Sequence, residues 1–318
     1  MAVPTNTVTE HSVVGTREDL QDVIFNIAPT ETPFMSGIEK SGASQVLHEW
    51  QTDDLSAAAT NTAVEGDDPT ALALSPTVRV GNYCQISQKT VIVSGTSSAS
   101  DQAGRSDELS YQVSKRGREL KRDMEFALVQ NQASTGASAG SARTSAGAES
   151  WLETNTSFGG TGANGGFSGG TVSAPTDGTQ RALTKALLDG VIQSCWTQGG
   201  DPTVIMVGPH NRTVVSGFSG ISSLETPANA NSDVTLIGAV DFYKSNFGTL
   251  KVVPNRFMRD RTALVLDMEM WSVAFLRSLQ MNSLAKTGDN EKRQMLAEYT
   301  LCCKNEKASG KVADLATS

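Results

Sequence analysis

The 318-residue chain has no run of eighteen consecutive apolar residues, so the sequence offers no helix that would span a membrane. Its opening, Met1–Thr9, lacks the basic-then-apolar order of a secretory leader, and none is expected. Cysteine is scarce. Cys84, Cys195, Cys302 and Cys303 follow no metal-type or redox-type spacing and are expected to be free thiols in a reducing cytosol. The three histidines, His11, His48 and His210, have no partners at ligand spacing, which argues against a histidine-based zinc site. The P-loop, the G-x-S-x-G elbow and the H-E-x-x-H pair are all missing. Asn155 and Asn211 match the glycosylation triplet, which carries no weight without secretion.

The remaining chemical candidates are thin. Cys195 and His210 fall in one region and could make a nucleophilic pair, but Cys195 lies on the apolar stripe of its helix, where a thiol stays protonated. Asp267-Met268-Glu269 puts two carboxylates on one face of a strand, too few to hold a hard cation. Cys302 and Cys303 are strand neighbours that face opposite ways, with Cys303 toward the core. Gly160-Thr161-Gly162-Ala163-Asn164-Gly165 spells G-x-G-x-x-G, yet no strand leads into it and no helix follows, so it does not read as a dinucleotide site. No catalytic residue, cofactor or metal ligand is assigned.

What the sequence does contain is glycine, at 29 residues, and an uneven charge. The net charge is −8, but residues 1–68 hold twelve carboxylates against Arg17 and Lys40, a net of −10 that leaves +2 for the rest. An acidic arm on a near-neutral body argues against sequence-specific nucleic-acid binding and suits an arm lying on a basic surface, in its own chain or another.

The clearest element is Ser106–Asn131. Leu109, Val113, Gly117, Leu120, Met124, Ala127 and Leu128 recur in steps of three and four, the spacing of one helical stripe, and Ser106 is the expected cap. About 25 residues at 1.5 Å each make a rod of roughly 37 Å, too long for burial all round and expected to lie along an open sheet. Its other faces are charged, with Lys115/Glu119 and Lys121/Glu125 expected as solvated pairs.

Around this spine the chain divides into six segments. Residues 1–44 form an arm, with a short helix expected over Arg17–Ile27, extension forced at Thr32-Pro33, and an apolar cluster of Phe34, Met35 and Ile38. The arm packs either on its own body or on something outside it. Residues 45–94 read as an extended two-stranded excursion, Gln45–Gln51 against Thr77–Ser94 with a bulge at Gly81 and a long polar tip. Residues 95–133 carry the spine. Residues 134–178, of which 33 are Gly, Ala, Ser or Thr among Ser134–Gly178, read as a loop or surface insertion pinned by Trp151, Phe158 and Phe167.

Residues 179–260 read as an α/β lobe. A helix opens near Thr184 and stops at Gly199-Gly200, a strand covers Thr203–Val207, and Pro209 starts a short helix. Two strands follow, Val234–Phe242 and Leu250–Val253, joined through Tyr243–Gly248. Residues 261–318 read as strands returning to the spine's sheet, at Ala263–Asp267, Ser272–Leu276, Gln280–Ala285 and Gln294–Lys304, with a last extended piece in the tail.

Taken in order, these segments resemble the tailed-bacteriophage major capsid proteins of the Hong Kong 97-type fold, with N-terminal arm, extended E-loop hairpin, spine helix in a peripheral domain, and an α/β axial domain. The carrying residues are Arg17-Glu18-Asp19-Leu20 and Pro29-Thr30-Glu31-Thr32-Pro33-Phe34 in the arm, then Gly199-Gly200-Asp201-Pro202 and Val207-Gly208-Pro209 in the lobe. Glu298-Tyr299-Thr300-Leu301 and Asn305-Glu306-Lys307-Ala308 complete the set. The resemblance implies an α+β shell subunit, made in the bacterial host cytoplasm and carried in the virion as hexamers and pentamers around double-stranded DNA bound without sequence specificity. Portal, scaffolding and decoration proteins are its expected partners; a cargo-enclosing compartment of the same fold and a Cys195/His210 hydrolase are the alternatives.

Some capsids of this fold weld subunits through lysine–asparagine bonds. No lysine lies between Lys40 and Lys89, so no such crosslink is expected at the E-loop tip. The expected intersubunit contacts set Asp53, Asp54, Glu65, Asp67 and Asp68 against Lys115, Arg118 and Arg122 on the spine, or against Arg256, Arg259 and Arg261. Phe34 and Trp50 are the expected apolar anchors.

Overall fold

The computed structural model describes residues 29, 31–66, 68, 74, 76–102, 104–138, 140–218 and 242–317. The expected helix at Arg17–Ile27 and the expected strand over residues 234–241 lie outside them.

In chain order, helix α1 (Pro33–Gly37) leads into strand β1 (Glu39–Gly42), then β2 (Leu47–Thr52), β3 (Val78–Tyr83) and β4 (Gln85–Ser94). Helices α2 (Gly95–Ala99) and α3 (Glu108–Val129) follow, then the short α4 (Ala148–Trp151) and strands β5 (Thr156–Ser157), β6 (Gly166–Ser168) and β7 (Thr171–Ser173). Helix α5 (Lys185–Thr197), strand β8 (Val204–Val207) and helix α6 (Pro209–Ser216) precede β9 (Phe242–Ser245), β10 (Gly248–Pro254) and β11 (Ala263–Leu266). The chain closes with β12 (Trp271–Ser283), β13 (Asn290–Cys303) and β14 (Gly310–Val312).

Two sheets organise these elements. The first runs β1-β12-β13-β4 and the second β5-β14-β11-β8-β10-β9, with β2–β3 and β6–β7 as separate ribbons. Helix α3 is the spine. Asp107, rather than Ser106, caps it, accepting from Leu109 N at 3.2 Å and Ser110 N at 3.1 Å. It lies along the first sheet: Lys89 of β4 reaches Asp123 at 2.7 Å, and Gly117 keeps the helix close to Met295 of β13. Leu120, Met124, Ala127 and Leu128 are buried there, whereas Leu109 and Val113 are only half-buried.

Strand β13 is buried on both faces from Met295 to Cys303. Met295, Ala297, Tyr299, Leu301 and Cys303 face one side, in the expected alternation. The other side is covered by the glycine-rich segment, through Arg143 on Glu298 and Ser145 Oγ near Thr300 Oγ1 at 3.3 Å. Asn82 seals the same seam, donating to Leu301 O at 2.8 Å and accepting from Ala146 N at 2.9 Å. Residues 145–152 are therefore core rather than a surface insertion. The low side-chain volume of this run is what lets it thread between the sheet and the ribbon.

Several further expectations are corrected. The extension expected at Thr32-Pro33 is not found: Thr32, at φ −126° and ψ 73°, is the residue before α1, and Pro33 opens the helix because proline suits a first helical position. Gly81 pairs in register with Glu49 and makes no bulge; it is small because a side chain there would press on Glu49 and His48. The ribbon's second strand ends at Tyr83, and after Cys84 the chain enters β4, which pairs with β13 instead. Tyr243 belongs to β9, and the β9–β10 turn is Asn246-Phe247. Asp267-Met268-Glu269 is not a strand: Asp267 caps a 3₁₀ turn over Met268–Met270. Strands β11 and β14 pair with each other and, through β11, with β8, so residues 261–318 feed both sheets rather than the spine's sheet alone.

Candidate intersubunit surfaces

The tip of the β2–β3 ribbon has no cover among the described residues. Leu55 is 100% exposed and Val64 75%, two large apolar side chains on the ribbon's connecting segment that offer surface to a docking partner. Asp53, Glu65 and Asp68 are exposed beside them and make no ion pair among the described residues. Asp54 differs, because Lys307 of the same chain already holds it. Asp67 lies outside the described residues. Charged and apolar groups thus share one protruding tip.

The expected anchors are used within the subunit. Phe34 is fully buried, 6.0 Å from the Trp271 ring and among Met124, Leu128 and Trp151 in the first core, so it fastens the arm to its own body. Trp50 is half-buried; its Nε1 donates to Cys303 O at 2.8 Å and its ring leans on Trp151 at 5.4 Å. It orients the ribbon's root on the first sheet.

The six candidate cations separate into two groups. Arg259 bridges Glu149 at 3.2 Å and Asp177, and Arg261 bridges Asp314 at 3.2 Å and Asp177 at 3.5 Å. Both are spent on an internal network that ties the glycine-rich segment to the second sheet. Within it, burial pushes the Glu149 carboxyl up, against Arg259, Thr262 and Lys311. The hydrogen bond from Arg259 holds the Asp177 carboxyl below its ordinary value.

Lys115, Arg118 and Arg122, by contrast, fall at steps of three and four on one stripe of α3, about 10 Å long. Arg118 is exposed, and none of the three has an ion pair among the described residues. Arg122 lies over the Phe257 ring at 5.4 Å, next to Arg256, which is exposed and has no ion pair among the described residues. Phe126, one turn beyond Arg122, is 53% exposed and continues the stripe. Four of the six cations are therefore without an ion pair among the described residues and form a partly exposed basic track with an aromatic end.

Sequence reasoning missed Phe126, Leu55 and Val64. Their signal was available as apolar residues among charged neighbours, which mark contact surfaces more reliably than charge alone. It also missed Glu125, expected as a solvated partner of Lys121 but fully buried. Its Oε1 accepts from Phe34 N at 2.8 Å and Asn255 Nδ2 at 2.7 Å, and its Oε2 accepts from Met35 N at 2.8 Å.

The chemical candidates find no support as sites. Cys195 is buried in the second core, which pushes its thiol up to about 12, far from a thiolate at neutral pH. Asn155 and Asn211 are buried, closed to any glycan. No three His, Cys, Asp or Glu side chains converge as a metal site among the described residues. No helix among them is long and apolar enough to cross a membrane.

Residues 3–316 match the family model described as SU10 major capsid protein. The chain is similar to the major capsid protein of Escherichia phage Phieco32, at 28% identity over 93% of each chain. Its fold is similar to the capsid of a native GTA particle, at a TM-score of 0.66 and 12% identity, covering 98% of this chain and 100% of the other. The same holds for the capsid of cyanophage A-1(L), at a TM-score of 0.64 and 11% identity, covering 96% and 98%. With the match running almost end to end and the spine, ribbon and two sheets all in place, the chain belongs to the SU10 major capsid protein family: a structural subunit of the Hong Kong 97-type fold, and not an enzyme.

Proposed function

We propose that this subunit assembles with copies of itself, as hexamers and pentamers, into the icosahedral shell of a tailed phage around double-stranded DNA. It would be made in the host cytoplasm, with a portal and with scaffolding or decoration proteins as further partners. In this reading the ribbon tip of each subunit sits on the spine track of a neighbour. Asp53, Glu65 and Asp68 meet Lys115, Arg118, Arg122 and Arg256, while Leu55 and Val64 meet Phe126. The observation that carries it is the ribbon tip, where exposed apolar residues project together with carboxylates that have no ion pair among the described residues.

Exposed ion pairs contribute about 0–1 kcal/mol each, so the apolar contacts supply most of the adhesion and the charges set its register. Many such modest interfaces closed by symmetry hold a shell that no single one could hold. The test is assembly read by electron microscopy. Reversing Asp53, Glu65 and Asp68 to lysine is expected to abolish shells, and reversing Arg118 and Arg256 to glutamate in the same chain is expected to restore them in part. Normal shells from the triple reversal alone would sink the pairing, and shells that close around protein cargo rather than DNA would favour a compartment.

A further inference from the structure

Several glycines of the 159–178 loop answer to packing. A Cβ on Gly159 would strike Thr179 O, one on Gly162 would strike Asp314, and one on Gly178 would strike the backbone of Gly160 and Gly162. Asp314, buried, gathers the loop by accepting from Gly178 N at 2.6 Å and Gly159 N at 3.1 Å. Gly165 is fixed in the same way, since a side chain there would run into Ser173 O and Pro175. The residue before it is Asn164, and this is the only Asn-Gly step in the sequence. Asn164 is exposed, its Nδ2 donating to Glu153 O at 2.9 Å, and the Gly165 N–H has no hydrogen-bond partner among the described residues.

We infer that Asn164 is a site of spontaneous, age-dependent deamidation. The Gly165 nitrogen, losing its proton to solvent base, attacks Asn164 Cγ. The N–Cγ bond forms, the Cγ–Nδ2 bond breaks, and the side-chain nitrogen leaves as ammonia. Water then adds to either carbonyl of the resulting cyclic imide and opens it to aspartate or isoaspartate, so the balance is one water in and one ammonia out. Glycine leaves the attacking nitrogen unshielded, and the fold forbids replacing it. An amide without a hydrogen-bond partner among the described residues, on the half-buried Gly165, supplies the nucleophile without first breaking a hydrogen bond.

The product changes its surroundings. The Nδ2 donor to Glu153 O disappears, and a new carboxylate arrives beside the Glu153 side chain, which occupies the space over Gly166. The β6–β7 hairpin that starts there carries Phe167, stacked on Trp151 at 6.1 Å, and the buried Val172. Conversion is therefore expected to loosen this hairpin as particles age.

The experiment incubates the full-length protein, free and in shells, in heavy-oxygen water at mildly alkaline pH, with peptide mapping over time. Label at residue 164 is expected to accumulate about tenfold faster than at Asn282, which is also exposed but is followed by serine and lies in a paired strand. Asn164→Asp is expected to raise hydrogen exchange in residues 166–173, and Asn164→Gln to block labelling there. If Asn164 keeps its amide over an interval in which a free peptide spanning residues 158–170 is converted, the inference is wrong.

Discussion

At the scale of single residues, Glu125 does the most joining. It sits on the spine, and its carboxylate gathers donors from the arm helix and from Asn255 after β10, so three parts of the chain meet at one side chain. Glu125→Ala would strand two backbone N–H groups and one amide in the core. At roughly 1 kcal/mol for each, a loss of about 3 kcal/mol in denaturant unfolding is expected. Burial holds this carboxyl above its ordinary value of 4.5, against the pull of the three donors. The folded chain thus keeps the proton more tightly than the unfolded chain does. The stability this proton linkage supplies is fully present below pH 4.5 and is lost as pH rises through the raised folded value. Wild type is therefore expected to lose stability relative to Glu125→Gln as the pH is raised from 4.5, and unfolding midpoints that track in parallel would refute the linkage.

Lys311 behaves in the opposite sense. It is fully buried, with Nζ donating to Glu149 O at 2.7 Å and lying over the Phe158 ring, and burial brings its pKa down to about 8 against the carboxylates of Glu149, Asp314 and Glu306. Between pH 8 and its ordinary 10.5 the unfolded chain binds the extra proton, so the contribution from Lys311 rises with pH across that window. Cys84 and Cys302, both pushed up to about 11 by burial, pull stability the other way over much of the same range. The wild-type curve alone is therefore uninformative. The difference between wild type and Lys311→Met is the quantity to measure, and it is expected to move in favour of wild type from pH 8 to 10.5.

At the scale of elements, the β2–β3 ribbon has a fixed root and a free tip. Trp50 fastens the root through Cys303 O and Trp151, and Val80 packs beside it. Trp50→Ala is expected to cost about 2 kcal/mol, below the usual range for a fully buried tryptophan because this one is only half-buried. The diagnostic reading is location. Amide exchange should rise along Leu47–Thr52 and Val78–Tyr83 while β13 stays protected, and uniform loosening would mean that the ribbon is not a separate unit.

Legibility from sequence follows the range of the interaction. The spine's apolar stripe, the opening of α5 near Thr184 with its stop at Gly199-Gly200, and the alternation along β13 are set by residues within one or two turns, and they read correctly. Strand β11 was visible as a strand but not as a member of the second sheet, because its neighbours β8 and β14 are chosen by tertiary pairing. Glu125 was opaque for a related reason. Helical spacing offered it Lys121, while its actual partners lie 90, 91 and 130 residues away. The ribbon's acidic tip was legible as charge; that Arg259 and Arg261 were already engaged was not, since both depend on Asp177 in a loop that composition marks only as low-complexity.

At the scale of the whole molecule, the charge division becomes a statement about assembly. Residues 1–68 carry −10 and the remainder +2, so two copies meeting head-on repel overall, while a ribbon tip approaching an open spine track is attracted. Because these groups are exposed, their attraction fades beyond about 10 Å at ~0.1 M salt. Salt also relieves the net repulsion, so two effects compete. At low ionic strength steering would govern encounter; at high ionic strength the proposed apolar contacts of the exposed Leu55, Val64 and Phe126 would remain, unscreened. Assembly rate, followed by light scattering, is therefore expected to fall as salt rises, while shells already closed persist at the same salt. Leu55→Ser with Val64→Ser should give the reverse pattern, with normal initial rates at low salt and shells that fall apart. If wild-type shells dissolve at the salt concentration that merely slows their formation, the contacts are electrostatic throughout and the apolar tip has been assigned the wrong role.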